Sequence, residues 1–383
     1  MTRIDLGGLR VRPAQVWGGV RIVPLVRDEP VPGLRLGREV YEGRGTASVA
    51  LGDRTAYTSY IPHGFVADWT GTGAEAAAYG TRLGGEGAPA AVPVRRIHRL
   101  AKRRQGERRL RFLPLHLALE GYLALHFGGP SVVWDDWSRE ALRRGLSPRV
   151  EAAYAGWAVP GLGEALRVFE LHPGQCGLLL YVADALAAAF VVPHPDDYRL
   201  LHPTLVEDLY GELVHQYAHY GAPVPEFTAR IRDGAGGVRN LADLRAAALE
   251  QERAWAAAHD GLMARDLLET SYSFERVRRM GSFGLYRFLP PFERGGREQH
   301  IGEVITDRKG RAAYLKTFRL SENQIRKGYL LNRLADCDWH LERTAEALGT
   351  SYAEMVRRVR SAGLGALLDA HVVARRMRVH SDG

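Results

Sequence analysis

Three groups of residues in this sequence have types and spacings that could support chemistry. Residues 95–111 hold nine Lys or Arg in seventeen positions, a density typical of surfaces that contact phosphates. Arg357 and Arg358 are adjacent in a segment with helical periodicity, so both could project from one helix toward a polyanion. His215 and His219 are four residues apart, a spacing that places two imidazoles on one helix face, as zinc sites require.

The histidine pair lacks the other parts of a zinc site. Gln216 stands where a zinc protease has its general base, and no third ligand is evident. Two partly buried histidines of one helix are the alternative. His194, Asp196 and Asp197 could gather a cation with Asp184, or could simply belong to a turn bounded by prolines. No GxSxG, Walker or kinase pattern occurs, so we assign no catalytic residue, expect no cofactor, and favour a protein that is not an enzyme.

The basic stretch of residues 95–111 admits two interpretations. Contacts of its cations with phosphates would bind nucleic acid or nucleotides with a strong dependence on salt and little dependence on sequence. The alternative is a solvated loop between two strands, because the centre, residues 103–107, is turn-like. Under the first interpretation, the predicted contacts with nucleic acid are Arg95, Arg96, Arg99, Lys102, Arg103 and Arg104.

Composition narrows the class of protein. The 383 residues are 46% hydrophobic, enough to fill the cores of two or three domains. The apolar runs 176–182 and 185–192 are too short to cross a bilayer, and the N-terminus has no apolar signal core. We therefore expect a cytoplasmic protein without membrane contact. The net charge of +8 favours a polyanionic partner, although an Arg-rich composition encoded by GC-rich DNA explains it equally. Cys176 and Cys337 lack CxxC partners and are predicted to be small core residues.

The body of the chain is predicted to contain both strands and helices. Gly- and Ala-rich residues 69–91 are interpreted as a flexible insertion. Predicted strands are 20–26, 47–51, 55–61 and 175–182, with 185–192 a strand or short helix and a hairpin of 301–306 and 311–318 around the turn 307–310. Predicted helices are 115–127, 134–146, 148–158, 204–220 opened by a capping box at Thr204 and Glu207, and 241–259.

The C-terminal part is predicted to be helical throughout. Ser321 and Gln324 have the spacing of a capping box, and Asp338 is expected to cap a second helix. Gly349 can take the positive φ of a tight turn. Ser351 should then cap a third helix over residues 352–360, in which Met355 and Val359 close a small core with Leu341 and Leu348.

These residues resemble a known DNA-binding motif. Residues 344–351 (Thr-Ala-Glu-Ala-Leu-Gly-Thr-Ser), with Val-Arg-Arg-Val at 356–359 and Gly-Leu at 363–364, are similar to the C-terminal motif of the factor-for-inversion-stimulation (Fis) family. The resemblance implies a helix-turn-helix over residues 321–370 that forms a homodimer and contacts DNA with its third helix. The expected contacts are Ser351, Glu354, Arg357 and Arg358.

The sequence also departs from the Fis pattern. Arg357 and Arg358 match the family's basic pair. Tyr352 and Glu354 occupy positions at which the family usually has Arg and Thr or Ser, and a carboxylate near DNA phosphates is unfavourable. A three-helix unit used only for dimerisation or packing is the alternative.

The body resembles a second family. Gly-Gln-Cys-Gly at 174–177 opens an apolar strand, which is followed by a second strand, a Pro-flanked turn and a helix that includes residues of the segment 200–209. Gly19–Leu25 and Val40-Tyr41 fit the opening of the same domain. This order is similar to the domain associated with ADP-ribosylglycohydrolases and rhodanese-phosphatases (the ARPP type). The resemblance implies that residues 1–318 form one such domain and links it to conflict, RNA-repair and ADP-ribose systems, without a catalytic signature.

The sequence as a whole predicts an α+β or α/β body with a mixed sheet and several helices over residues 1–318. An all-α helix-turn-helix unit at 321–370 and a basic tail at 371–383 follow it. The favoured function is a dimeric regulatory or RNA-repair-associated protein that binds DNA or RNA. The alternative is a module that binds ADP-ribose-type nucleotides or RNA ends, in which the helix-turn-helix serves only for dimerisation.

Overall fold

The computed structural model describes residues 1–17, 20–38, 48–51, 55–60, 65–68, 75–78, 99–104, 111–112, 169–182, 185–204, 237–259, 263–293, 295, 297–365 and 368. The predicted helices at 115–158, most of the proposed insertion at 69–91 and the tail at 371–383 lie outside these residues. Arg95, Arg96, His215 and His219 lie outside them as well.

The described strands form three sheets. The strands are β1 Arg10–Val11, β2 Gln15–Trp17, β3 Val20–Val26, β4 Arg35–Arg38, β5 Ser48–Leu51, β6 Thr55–Tyr60, β7 Phe65–Asp68, β8 Glu75–Ala78, β9 Arg99–Arg104, β10 Arg111–Phe112, β11 Gln175–Val182, β12 Ala185–Val191, β13 Ser273–Met280, β14 Phe283–Leu289, β15 His300–Thr306 and β16 Ala312–Arg319. The largest sheet has nine strands in the order β1-β3-β11-β12-β16-β15-β14-β13, with β2 also paired to β3. The smaller sheets have the orders β10-β9-β6-β5 and β4-β7-β8.

Helices lie among and after these strands. They are α1 Pro195–Thr204, α2 Leu241–Ala258, α3 Arg265–Glu269, α4 Glu322–Asp336, α5 Leu341–Ala347 and α6 Tyr352–Ser361. Within the described ranges, none of these helices has the length and apolar character needed to span a membrane. The combination of antiparallel sheets and helices makes the body α+β, one of the two classes that the sequence predicts.

Short connections explain the antiparallel pairing. Strands β11 and β12 are separated by two residues and every residue of β11 is buried, as its apolar run predicts. The turn between β15 and β16 is held by Asp307, whose Oδ1 accepts the backbone N–H groups of Lys309 and Arg311 (2.9 and 3.0 Å). Gly310 adopts the positive φ of 83° that the turn requires. The predicted strand at 185–192 and the predicted hairpin are therefore confirmed.

The large sheet has a core on each face, because successive side chains of a strand point to opposite sides. One core contains Leu178, Leu180 and Phe190 and continues into Leu331 of α4 and Met355 of α6. The other core contains sheet residues such as Leu179, Tyr181 and Leu315, together with Trp255 of α2 and Leu267 of α3. Helices α4 to α6 thus share an apolar core with the sheet.

Gly328 allows α4 to approach the body closely. A Cβ at this position would lie 2.1 Å from Cε1 of Phe292, in the connection between β14 and β15. Phe292 is buried and has a φ of 56°. The helix begins with the predicted capping box, in which Ser321 and Gln324 each bond to the backbone N–H of the other.

Two predicted helix starts are wrong. Thr204 lies within α1 rather than at a helix start, because Pro195 is pre-organised for the first helical turn and Asp196 and Asp197 follow it there. The rest of the predicted helix, residues 205–220, lies outside the described residues. Asp338 does not cap α5, whose N-cap is His340. Asp338 and Trp339 have φ angles of 54° and 62° in the preceding turn, where the N–H of Trp339 donates to the carbonyl oxygen of Leu334 (2.7 Å).

Candidate functional site

Helix α6 has one apolar side and one polar side. Ser351 caps it as predicted, with its side chain accepting the N–H of Glu354 (3.2 Å). Gly349, in the turn before it, has a φ of 58°. Tyr352, Met355, Val356 and Val359 are buried. The same periodicity that buries these four residues leaves the opposite side of the helix exposed.

The exposed side of α6 is basic. The side chains of Arg357 and Arg358 are 74% and 47% exposed, and Arg360 is also exposed. Glu354 pairs with both of the first two, at 2.5 Å to Nη2 of Arg357 and 3.1 Å to Nε of Arg358. Surface ion pairs of this kind contribute about 0–1 kcal/mol, so a phosphate could compete with Glu354 for either guanidinium.

The predicted site residues fall into two separate elements. Ser351, Glu354, Arg357 and Arg358 are brought together on α6. Of the basic stretch, residues 99–104 form β9, which pairs with β6 on one side and β10 on the other. These four cations, Arg99, Lys102, Arg103 and Arg104, thus lie on a strand and not in a loop.

The predicted cation ligands have other roles where they are described. Asp197 is buried and accepts hydrogen bonds from Nε and Nη2 of Arg35 (3.0 and 2.5 Å), which is a structural ion pair between α1 and β4. His194 accepts the backbone N–H of Asp196 (3.1 Å). The part of the chain that the structure describes contains no group of three or more potential metal ligands, and Asp184 lies outside it.

A row of charged residues crosses the large sheet, and the sequence analysis missed it. Glu275, Arg287, Glu303 and Lys316 are direct cross-strand partners on β13, β14, β15 and β16. Arg287 Nε lies 3.3 Å from Glu303 Oε1, and Glu303 and Lys316 are almost completely buried. The charges alternate in sign, so the buried Glu303 and Lys316 have oppositely charged neighbours in a poorly solvated environment, whereas Glu275 at the end of the row is exposed. This pattern depends on the register between four strands, so it cannot be recognised in the sequence of any single strand.

A polar cleft of about 500 Å³ lies at the end of β3 and was also missed. Its walls come from the turn at Gly7 and Gly8, residues 27–32, and the β15–β16 turn with its flanks. Arg27 lines this cleft although it is only 8% exposed. Its Nη2 donates to the carbonyl oxygen of Ala312 (2.5 Å), and its Nε has no hydrogen-bond partner among the described residues.

Cys176 lies beside Arg27 and is not a reactive thiol at neutral pH. Burial raises its pKa to about 11, although the neighbouring guanidinium of Arg27 acts in the opposite direction. The prediction of a small core residue is confirmed for Cys176, whereas Cys337 is half-buried at the end of α4.

The Gly-Gln-Cys-Gly segment at the start of β11 has a structural explanation. Gly174 has a φ of 76°, and a Cβ there would lie 2.9 Å from the carbonyl oxygen of Arg27. A Cβ at Gly177 would lie 2.2 Å from the carbonyl oxygen of Phe190. Both glycines therefore permit close approach of neighbouring backbones, and the first positions Arg27 at the cleft.

Comparison with protein-family models identifies the family of this chain. A family model described as ARPP-2 matches residues 4–281 of the chain, well over half of its length. No curated protein and no solved structure matches it. The matched range ends in the turn after β13, whereas β14 to β16 lie between β12 and β13 in the sheet. The folded sheet therefore extends beyond the matched residues, to Arg319.

Proposed function

This chain belongs to the ARPP-2 family, and because its helix α6, which follows the matched residues, has a basic exposed side, we propose that it binds nucleic acid through α6. The single observation that carries the proposal is that this helix has one buried apolar side and one exposed basic side. Its apolar side is buried in the core, while Arg357, Arg358 and Arg360 are exposed. Such a helix presents guanidiniums to phosphates without any unfolding.

The proposal assigns α4 to α6 to a helix-turn-helix of the Fis type over residues 321–370, following a body that occupies residues 1–318. The cap at Ser351 and the positive φ of Gly349 support this assignment. In this arrangement α6 is the helix that enters the major groove. The shared apolar core of α4 to α6 and the sheet would hold α6 in a fixed orientation relative to the body.

Glu354 makes the proposal directly testable, since its single carboxylate pairs with both Arg357 and Arg358, which would contact the phosphates. Fluorescence anisotropy should be measured with duplex DNA and with structured RNA over a salt series from 50 to 200 mM. Replacing Arg357 and Arg358 together by Ala should reduce the slope of log affinity against log salt by about 2. Glu354→Gln should raise the affinity several-fold, because it releases both guanidiniums and removes a negative charge.

Matched controls are available on α4. Arg326 and Arg333 are exposed arginines paired with Glu322 and Asp336, so Arg326→Ala/Arg333→Ala removes the same charge from another helix. Glu322→Gln is the corresponding control for Glu354→Gln. Equal effects of the α4 and α6 variants would show that binding follows net charge alone, and absence of salt-sensitive binding at micromolar concentration would refute the proposal.

The proposal includes a homodimer, which is supported by the resemblance to Fis domains. A dimer would present two copies of α6 to neighbouring turns of the duplex. Sedimentation equilibrium should then give a mass of twice 42.4 kDa. A monomer of unchanged affinity for duplex DNA would remove the dimer from the proposal and leave the role of α6 intact.

A further inference from the structure

Among the described residues, the buried guanidinium of Arg27 forms no direct ion pair, and the carboxylate of Asp307 acts on its charge without direct contact. The two identified close neighbours of the guanidinium, the carbonyl oxygen of Ala312 and the thiol of Cys176, are both neutral. Burial lowers the pKa of Arg27 from its ordinary value, but an arginine remains charged at neutral pH. A cation removed from water without a directly bonded anion is costly, so an anionic ligand in the adjoining cleft would stabilise Arg27.

Two of the three carboxylates that line the cleft are engaged in ion pairs, and the third, Glu29, is exposed. Asp307 pairs with Arg311 at 2.7 Å, and its side chain also accepts two backbone N–H groups of its own turn. Asp28 pairs with Arg10, a residue that does not line the cleft. Arg308 and Lys309 are exposed and line the same cleft as Arg27. The cleft lining thus has four cations (Arg27, Arg308, Lys309 and Arg311) against three carboxylates, an excess of one positive charge beside a buried guanidinium.

The remaining walls suit the organic part of a ligand. Pro30, Val31, Pro32 and Phe283 line the cleft beside its charged residues, and a volume of about 500 Å³ is within the range of small-molecule sites. Gly8 lies beside Arg27, since a Cβ there would be 3.9 Å from Nη1, and its φ of 85° disfavours other residues.

We propose that this cleft binds the phosphate group of a phosphorylated small molecule, with Arg27 as the buried cation and Arg308 and Lys309 as the outer cations. Phosphate fits better than a carboxylate because several cations converge on the cleft and a phosphate monoester carries up to two charges. Arginine also matches the geometry of phosphate oxygens with its planar set of donors. The site is separate from α6, so it does not depend on nucleic-acid binding there.

Thermal unfolding of the full-length protein tests this site at matched ionic strength. Inorganic phosphate, AMP, adenosine and acetate are titrated separately. We expect phosphate and AMP to raise the melting temperature with saturation, and adenosine and acetate to have no such effect. If AMP saturates at a lower concentration than phosphate, the ligand is an organic phosphate. If the two saturate alike, free phosphate is the ligand. Equal stabilisation by acetate or adenosine would overturn the proposal.

Variants link the effect to Arg27. Arg27→Met should weaken phosphate binding on the order of 10- to 100-fold, since it removes a charged hydrogen-bond donor, and should not lower the melting temperature of the unliganded protein, since it removes an unpaired buried charge. Arg12→Met is the matched control, because Arg12 pairs with Glu252 at 2.9 Å and lines a different cleft. Unchanged phosphate binding in Arg27→Met would refute the site.

A second variant keeps the test valid if Arg27→Met fails to fold. Arg308→Ala/Lys309→Ala changes only exposed side chains of a turn and should fold normally. It should weaken phosphate binding and reduce its dependence on salt. Phosphate binding that is unaffected by this change would contradict the proposal independently of Arg27.

Discussion

Replacing Gly328 by Ala tests whether α4 is packed on the body as the structure has it. The added Cβ would lie 2.1 and 2.3 Å from Cε1 and Cδ1 of the Phe292 ring. Carbon atoms in contact are ordinarily about 3.5 Å apart or more, so the ring or the helix must move by roughly 1.4 Å. Phe292 is 1% exposed, which leaves the ring little space to move.

Two opposing effects determine how far Gly328→Ala changes the free energy of unfolding. Ala favours a helix interior over Gly by about 1 kcal/mol, whereas overpacking of a filled core costs about 1–3 kcal/mol. A contact shortened this far belongs at the upper end of that range, so we expect a net loss of about 1–2 kcal/mol in the free energy of unfolding. Urea unfolding followed by circular dichroism and fluorescence measures it.

A double variant distinguishes a clash between residue 328 and the Phe292 ring from a non-specific loss of stability. Gly328→Ala/Phe292→Leu should be less destabilised than the sum of its single changes, because the smaller side chain makes room for the Cβ. Gly365→Ala is the control, since a Cβ there meets nothing within 4 Å, and it should change stability by less than about 0.5 kcal/mol. If Gly328→Ala is neutral or stabilising, α4 does not lie against Phe292. The packing of α4 to α6 on the sheet would then be refuted.

Three further predictions concern the buried charged groups and the cap of α6. Glu303→Gln should destabilise the protein by about 3–5 kcal/mol, because it leaves the buried Lys316 without its cross-strand carboxylate; Glu303→Leu combined with Lys316→Met should cost much less in the same urea titration. Burial lowers the pKa values of His202 and His300, so the neutral forms are favoured in the folded state, and their stabilising effect is complete above about pH 6.5 and lost as the pH falls through the folded-state pKa values. Unfolding midpoints between pH 7.5 and 4.5 should therefore fall less steeply in His300→Gln than in the wild type; parallel curves would contradict this. Ser351→Ala should reduce stability by about 1 kcal/mol through loss of the cap, with the melting temperature as the measurement, and no change would mean that the end of α6 frays freely.

Local chemistry made a large part of the fold predictable. The strand at 175–182, the helix at 241–258, the capping box at Ser321 and the turn at Gly310 each depend on residues within a few positions of one another. The cap of α6 and its buried residues Met355 and Val359 are equally local. The prediction of helix starts failed where a second local signal lay nearby. Helix α1 begins at Pro195, so that Thr204 lies inside it. Asp338 and Trp339 have positive φ angles, and α5 therefore begins at Leu341.

The sequence by itself determined which of the main segments form helices or strands and which of their side chains face the core. It also placed Arg357 and Arg358 on the polar side of one helix. The tertiary structure alone decided the alternating charges of Glu303, Lys316 and their neighbours, and the burial of Arg27 beside a cleft. Hydrophobic period and capping act between residues that are close in the chain. Cross-strand register and cleft walls join residues up to about three hundred positions apart, from Gly7 to Ala313, and only the folded chain brings these together.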